Sequence, residues 1–218
     1  MLIWKIQPPS VFRRFFVSKK SMKKSDNKQK PAFFLDRDGT VCEEVGYLSD
    51  IRNLRLIAGS AEAIRRINNN NWKVVIITNQ SGVSKGYMDE ETVRQINDAL
   101  LEMLREENVR VDGIYYCPHH LQGNPPYNIS CECRKPASGM LRQASKDLDI
   151  DIRRSVLVGD KLTDVETANR LDIPGILVRT GFGREESRSL ISPVLTRPPA
   201  YIAEDLLDAV RWWYNRKS

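Results

Sequence analysis

WKVVIITNQSG, residues 72–82, contains a β-branched run with no polar–apolar alternation that ends abruptly in a polar turn. A strand with one wet face alternates. A strand that is apolar at every position is buried on both faces, as in a parallel sheet covered by helices. Working outward, AFFL (32–35), VDGIYYC (111–117), SVLVGD (155–160) and GILVRT (175–180) read as further strands, the last being the final core strand. Helix-periodic segments separate them. Residues 60–70 start at a cap-type Ser60 and repeat at Ala63, Ile64 and Ile67. Residues 89–108 place Val93, Ile96, Leu100, Leu101 and Leu104 on one stripe, with Asp89 as cap. Residues 138–148 repeat at Leu141, Ala144 and Leu148, and Thr163 with Glu166 forms a capping-box pattern. Residues 204–215 are amphipathic, with Leu206, Val210 and Trp213 on one side. Strand, helix, strand, helix predicts an α/β fold, a three-layer Rossmann-like domain with a central, mainly parallel sheet. Residues 183–200, rich in Arg, Ser and Pro, read as a mobile, solvated loop.

The 218 residues suit one domain, and no apolar run reaches the ~18–20 residues of a membrane span. The net charge of +6 is unevenly placed. Residues 1–30 carry nine basic side chains and one acid, Asp26, so the rest of the chain is slightly acidic. The near-neutral body argues against a nucleic-acid footprint. Residues 1–31 read as a basic, disordered extension in front of a domain spanning 32–218. A targeting sequence and a start at Met22 are the other readings of that segment. The four cysteines are not spaced like a secreted disulfide framework, which suits a reducing, cytoplasmic setting.

The polar residues fall where the strands stop. AFFL ends in Asp36-Arg37-Asp38-Gly39-Thr40, VVIIT at Thr78-Asn79-Gln80-Ser81-Gly82, and SVLVG at Asp160. Asp and Thr at strand ends commonly cap helices or build turns, so each alone is weak. Ligands of open α/β sheets bind beyond the C-terminal strand ends, and the three together aim at one crevice. Asp36, Asp38 and Asp160 form a hard-oxygen cluster that repels itself and calls for Mg²⁺. With the Thr78 hydroxyl and the positive charge of Lys135 it has the parts of a phosphoryl-transfer site.

Cys117-x-His119 and Cys131-x-Cys133 offer three thiolates and an imidazole, a set that suits tetrahedral Zn²⁺. Four protein ligands leave no position for substrate, so the site is expected to be structural, a staple for the loop 117–133. The alternative is a group of buried thiols beside a surface histidine. His120 is expected to support the site or face solvent, and Cys42 to be a lone thiol near the crevice.

DRDGTV, GYLSD, TNQSGV, GIYYCPHH, CECRKP, VGDKLTD and LVRTG, in that order, resemble the haloacid-dehalogenase (HAD) superfamily of phosphatases. Within it they look like the D-glycero-D-manno-heptose 1,7-bisphosphate 7-phosphatases, whose near relatives are the histidinol-phosphate phosphatases. The resemblance covers residues 32–215 and not the basic extension. It implies Asp36 as nucleophile and Asp38 as general acid and base. It implies Mg²⁺ held by the Asp36 and Asp160 carboxylates and the Asp38 carbonyl, and Thr78 and Lys135 on the phosphoryl oxygens. Arg134 matches the substrate-recognition position, suited to a second phosphate. Arg37, Glu44, Val45, Gly46, Tyr47, Asn79, Gln80, Ser81 and Lys161 match substrate contacts more loosely, with turn or surface roles as the alternative. Asp164 is expected to support the site or cap a helix. Only 39 residues separate Asp38 from Thr78, which leaves no room for a large cap domain. The reading is a monomeric, Mg²⁺-dependent phosphatase of a small sugar phosphate. The rivals are a histidinol-phosphate phosphatase and, of another class, a non-catalytic zinc-stabilised binding module.

Overall fold

The computed structural model describes residues 13–15, 29–189 and 195–216. In chain order the elements are β1 (Arg13–Phe15), β2 (Ala32–Leu35), α1 (Ser60–Asn69), β3 (Lys73–Asn79), α2 (Ser81–Ser84), α3 (Glu90–Glu106) and β4 (Gly113–Cys117). They continue with α4 (Gly139–Leu148), β5 (Val156–Gly159), α5 (Leu162–Asn169), β6 (Gly175–Val178), α6 (Gly183–Glu186), β7 (Tyr201–Ala203) and α7 (Leu206–Asn215).

One seven-stranded sheet runs β1-β4-β3-β2-β5-β6-β7. Every pairing is parallel except β1 against β4. The strand order turns between β2 and β5, which lie side by side at the centre. Strand alternation sends Phe33 and Leu35 into one apolar cluster, with residues of α1, α3 and α7. Ala32 and Phe34 enter another, with Met140, Leu141 and Ala144 of α4. The sheet is therefore the middle of three layers, as the unalternating strands predict. Among the described residues no separate cap domain covers it; residues between Asp38 and Thr78 form loops, a short 3₁₀ turn, α1 and most of β3.

Asp89 caps α3 as expected, accepting from the Thr92 N–H at 2.7 Å. The buried stripe of α3 includes Asn97, while Leu101 sits at its edge. Two caps differ from expectation. Gly59, not Ser60, precedes α1, with a left-handed φ of 86° that glycine adopts at no steric cost. In α5, Asp164 rather than Glu166 reaches back, accepting from the Lys161 N–H at 3.2 Å. Glu166 instead accepts from Thr196.

GILVRT is not the last strand. β7, short and too mixed to stand out, adds to β6. The 183–200 segment is partly ordered: α6 lies in it, and its Glu186 accepts from the Leu162 N–H. Residues 190–194 of that loop lie outside the described residues. Within the 1–31 segment read as disordered, Arg13–Phe15 pairs with Ile114–Tyr116. Without it β4 would be an edge strand with unpaired backbone groups, which template such pairing. The rest of that reading, up to residue 28, lies outside the described residues. No helix among the described residues is long and apolar enough to cross a membrane.

Candidate active site

β2 and β5, the two strands at the switch point, deliver Asp36 and Asp160 side by side. Asp164 joins them from the first turn of α5, and carboxylate oxygens of the three lie within 4.8 Å of one another. Lys135 lies among them. Its Nζ is 2.9 Å from Asp36 Oδ1 and 2.5 Å from Asp164 Oδ1, and donates to the Ile77 carbonyl at 3.2 Å. Burial opposes the Lys135 charge, but Asp164 and Asp36 outweigh it and raise its pKa above the lysine value. Desolvation raises Asp36 to about 6 against the pull of Lys135, with Asp164 and Asp38 adding to the rise. Asp160 is raised to about 8, by desolvation first and then by Asp36 and Asp164.

Asp160 Oδ2 accepts from the Phe182 N–H at 2.9 Å, while Oδ1 is buried without a hydrogen-bond partner. Gly39 (φ 77°) and Gly181 (φ 55°) bring their backbones onto this carboxylate; a Cβ at either would collide with it. An orphaned buried oxygen among converging carboxylates fits a hard cation such as Mg²⁺.

Asp38 faces another way. Arg37 clamps it with Nε and Nη2 at 3.0 and 2.9 Å, and Gln80 Nε2 donates to it at 2.8 Å. The Thr78 hydroxyl lies 3.4 Å from the same oxygen and accepts from Gln80 at 2.9 Å. Its carboxylate is therefore not in the converging trio, and any part in holding a cation falls to its backbone carbonyl. Cys42, the expected lone thiol, is fully buried with Sγ 3.6 Å from Asp38 Oδ1.

Asp36, Asp38, Thr78, Gln80 and Lys135 line a cavity of about 390 Å³, with Glu44, Gly46, Tyr47, Ser81, Arg134 and Lys161 on its walls. Three sequence-predicted substrate contacts change role. Arg37 is wholly buried; beyond Asp38 it donates to Asn97 Oδ1 at 2.9 Å, so it positions Asp38 and cannot touch a ligand. Val45 is exposed outside the cavity. Asn79 lines the cavity, but its amide exchanges two bonds with the Lys135 backbone, at 3.0 and 3.1 Å, and so seats the lysine. Asp164, expected to support the site or cap a helix, caps α5 and pairs with Lys135. Residue reading missed two contributors. Phe182 holds Asp160 by its N–H and lies under Lys161 Nζ at 4.4 Å, and Asn97 backs Arg37; neither has a local signal.

Cys117, His119, Cys131 and Cys133 form a second cluster, also within 4.8 Å. All four cysteines are free thiols. The sulfur–sulfur separations are 3.1–3.6 Å and His119 Nδ1 lies 3.3 Å from Cys133 Sγ. Those spacings approach the edges of a tetrahedron with bonds of ~2.0–2.3 Å, so the set fits Zn²⁺. The loop it anchors touches the active site: Arg134 Nη1 donates to the His119 carbonyl at 3.0 Å. His120 stays outside the cluster, accepting from the Gln122 N–H.

An open parallel sheet whose switch point holds a carboxylate beside a buried lysine and a hydroxyl is the framework of a phosphoryl-transfer hydrolase. A HAD-hydrolase-like family model matches residues 132–209. The D-glycero-beta-D-manno-heptose-1,7-bisphosphate 7-phosphatase of Haemophilus influenzae is 44% identical over 151 residues, covering 69% of this chain and 82% of that protein. The D-glycero-D-manno-heptose-1,7-bisphosphate 7-phosphatase of Thermosynechococcus vestitus is 40% identical over 190 residues, covering 84% and 95%. The crystal structure of the D,D-heptose 1,7-bisphosphate phosphatase of B. bronchiseptica, complexed with magnesium and phosphate, superposes with a TM-score of 0.74 at 30% identity, covering 85% of this chain and 99% of that one. The chain belongs to the haloacid-dehalogenase-like hydrolases, in the family of the heptose-1,7-bisphosphate 7-phosphatases. It is a phosphoric monoester hydrolase.

Proposed function

We propose that the protein is a Mg²⁺-dependent phosphatase that removes the C7 phosphate of D-glycero-D-manno-heptose 1,7-bisphosphate, in nucleotide-activated heptose synthesis. The observation that carries this reading is Asp36 on the floor of the cavity, its Oδ1 2.9 Å from Lys135 Nζ. The cavity of about 390 Å³ suits a small sugar phosphate.

Asp36 attacks phosphorus, forming an acyl-phosphate bond as the bond from phosphorus to the C7 oxygen breaks. Asp38 gives its proton to that leaving oxygen. Water then attacks the aspartyl-phosphate, and Asp38 takes a proton from it. The bond from phosphorus to the Asp36 oxygen breaks, releasing inorganic phosphate, restoring the Asp36 carboxylate and returning Asp38 to its protonated form. Lys135 and the Thr78 hydroxyl hold the phosphoryl oxygens as charge moves across them. Asp36, Asp160 and the Asp38 carbonyl would hold Mg²⁺, which supplies charge neutralisation between phosphate and carboxylates. Cys117, His119, Cys131 and Cys133 would hold Zn²⁺, and the zinc-fixed loop seats Arg134 for the second phosphate. The protein acts as a cytoplasmic monomer in this reading, with every catalytic group within residues 32–218.

The test is phosphate release with Mg²⁺ on heptose 1,7-bisphosphate and on histidinol phosphate, with Asp36→Asn as blank. The expected outcome is a large kcat/KM preference for the bisphosphate. A preference for histidinol phosphate would overturn the substrate and keep the chemistry. Equal rates for wild type and blank would overturn both.

A further inference from the structure

The cations of the cavity fall into two kinds. Lys135, on the floor, is neutralised by Asp36 and Asp164, and Lys161 lies 3.6 Å from Glu44. Arg134 makes one hydrogen bond, to a backbone carbonyl, and has no carboxylate within ion-pair distance among the described residues. Four of its five N–H donors remain for a ligand. Lys85 stands beside this cavity rather than in its wall and is also unpaired by any carboxylate among the described residues. It follows α2, whose Ser81 and Gly82 line the cavity, and its Nζ donates to the Tyr47 hydroxyl at 2.7 Å. No carboxylate pairs with Lys85 among the described residues, and two of its three N–H donors remain free.

Lys85 is also held in place. The Tyr47 ring, a cavity wall, packs on Tyr87 at 4.5 Å between centroids, the rings tilted by 37°. It packs so closely over Gly82 that a Cβ there would come 3.1 Å from it. The cysteine-anchored loop docks beside Lys85, the Asn124 N–H donating to the Ser84 carbonyl at 2.5 Å. That loop also receives Arg134 at His119, so both unpaired cations are mounted against one loop.

We propose that Lys85, held by Tyr47, is a specificity-determining residue that binds the second phosphate of the substrate together with Arg134. This rests on the bisphosphate reading above. Two uncompensated cations, Arg134 in the cavity wall and Lys85 beside it on Tyr47, favour a ligand with a second anion, whereas a substrate with one phosphate is held by the floor alone.

The test compares kcat/KM for heptose 1,7-bisphosphate with that for p-nitrophenyl phosphate, which carries one phosphate, in wild type, Lys85→Gln and Lys85→Arg. Loss of a hydrogen bond to a charged group predicts that Lys85→Gln lowers the ratio of the two values about tenfold, through KM of the bisphosphate. Lys85→Arg is expected to restore most of it. A wild type that prefers the bisphosphate, with the preference unchanged in Lys85→Gln or equally reduced by Lys85→Arg, would overturn the role of Lys85 and leave the substrate reading standing. A wild type with no preference for the bisphosphate would overturn the substrate reading, and the second-phosphate role with it.

Discussion

The carboxylates Asp36, Asp160 and Asp164 and the set Cys117, His119, Cys131 and Cys133 each bring their ligand atoms within 4.8 Å, but on different supports. The carboxylates sit at the ends of two central strands and the start of a helix, all inside the packed core. A lysine lies among them, one oxygen has no partner, and a cavity opens above. The thiol–imidazole set lies at the end of β4 and along the loop that follows, and its four donors match the four positions of a closed tetrahedral site. The difference teaches what separates a working cluster from a holding one. The first keeps charge and space in reserve for a ligand, while the second, with zinc bound as proposed, would spend its ligands on fixing a loop that has little apolar content of its own.

Breaking the first cluster should have the largest effect. Asp36→Asn should cut phosphate release by roughly 10⁴-fold or more, since it removes the nucleophile. Mass spectrometry of quenched turnover should then show no phosphoryl adduct on the protein. Lys135→Met comes next, with kcat lower by about 10²–10³-fold. It also leaves Asp36 and Asp164 facing each other without their cation, so the melting temperature should fall. A variant that melts like wild type would mean that the lysine serves the ligand alone.

The second cluster should fail differently. Cys131→Ser is expected to raise KM on the order of tenfold through misplacement of Arg134, with kcat close to wild type. Metal analysis should show the loss of bound zinc in the same variant. A fall in kcat with KM unchanged would erase the contrast between the clusters.

The smallest effect is a pH dependence confined to the carboxylates. Asp36 and Asp160 bind protons more tightly in the folded protein, at about 6 and about 8 against 3.8. The folded state then holds more protons than the unfolded one across that range, so stability falls as pH rises. Protein freed of divalent cations should melt lower near pH 8 than near pH 5, and added Mg²⁺ should close most of the gap. Equal melting temperatures without the cation would contradict the crowding of those carboxylates.

Much of this was legible in the residues because it was local. The unalternating strands announced a sheet buried on both faces, and DRDGT, TNQ and VGD marked where those strands deliver polar groups. The Cys-x-His and Cys-x-Cys pairs carry their spacing with them. Other features had no local trace. Arg37 looks like a ligand contact beside Asp38, yet it turns into the core because Asn97, sixty residues away, offers an acceptor there. Asn79 looks like a site amide and is used up on the Lys135 backbone. Strand β7 is three residues long, and the pairing of Arg13–Phe15 with β4 depends on an edge that exists only once the sheet is built.

By itself the sequence determined the α/β class, the parallel core, the acids at the strand ends and the thiol–imidazole set, because periodicity and spacing are properties of the chain. Only the tertiary structure decided which groups share a cavity, which cations are neutralised and which remain free, and which polar side chains are spent on holding others. Those outcomes depend on distances between segments far apart in sequence. In a buried site, a few ångströms decide whether a charge is paired or available.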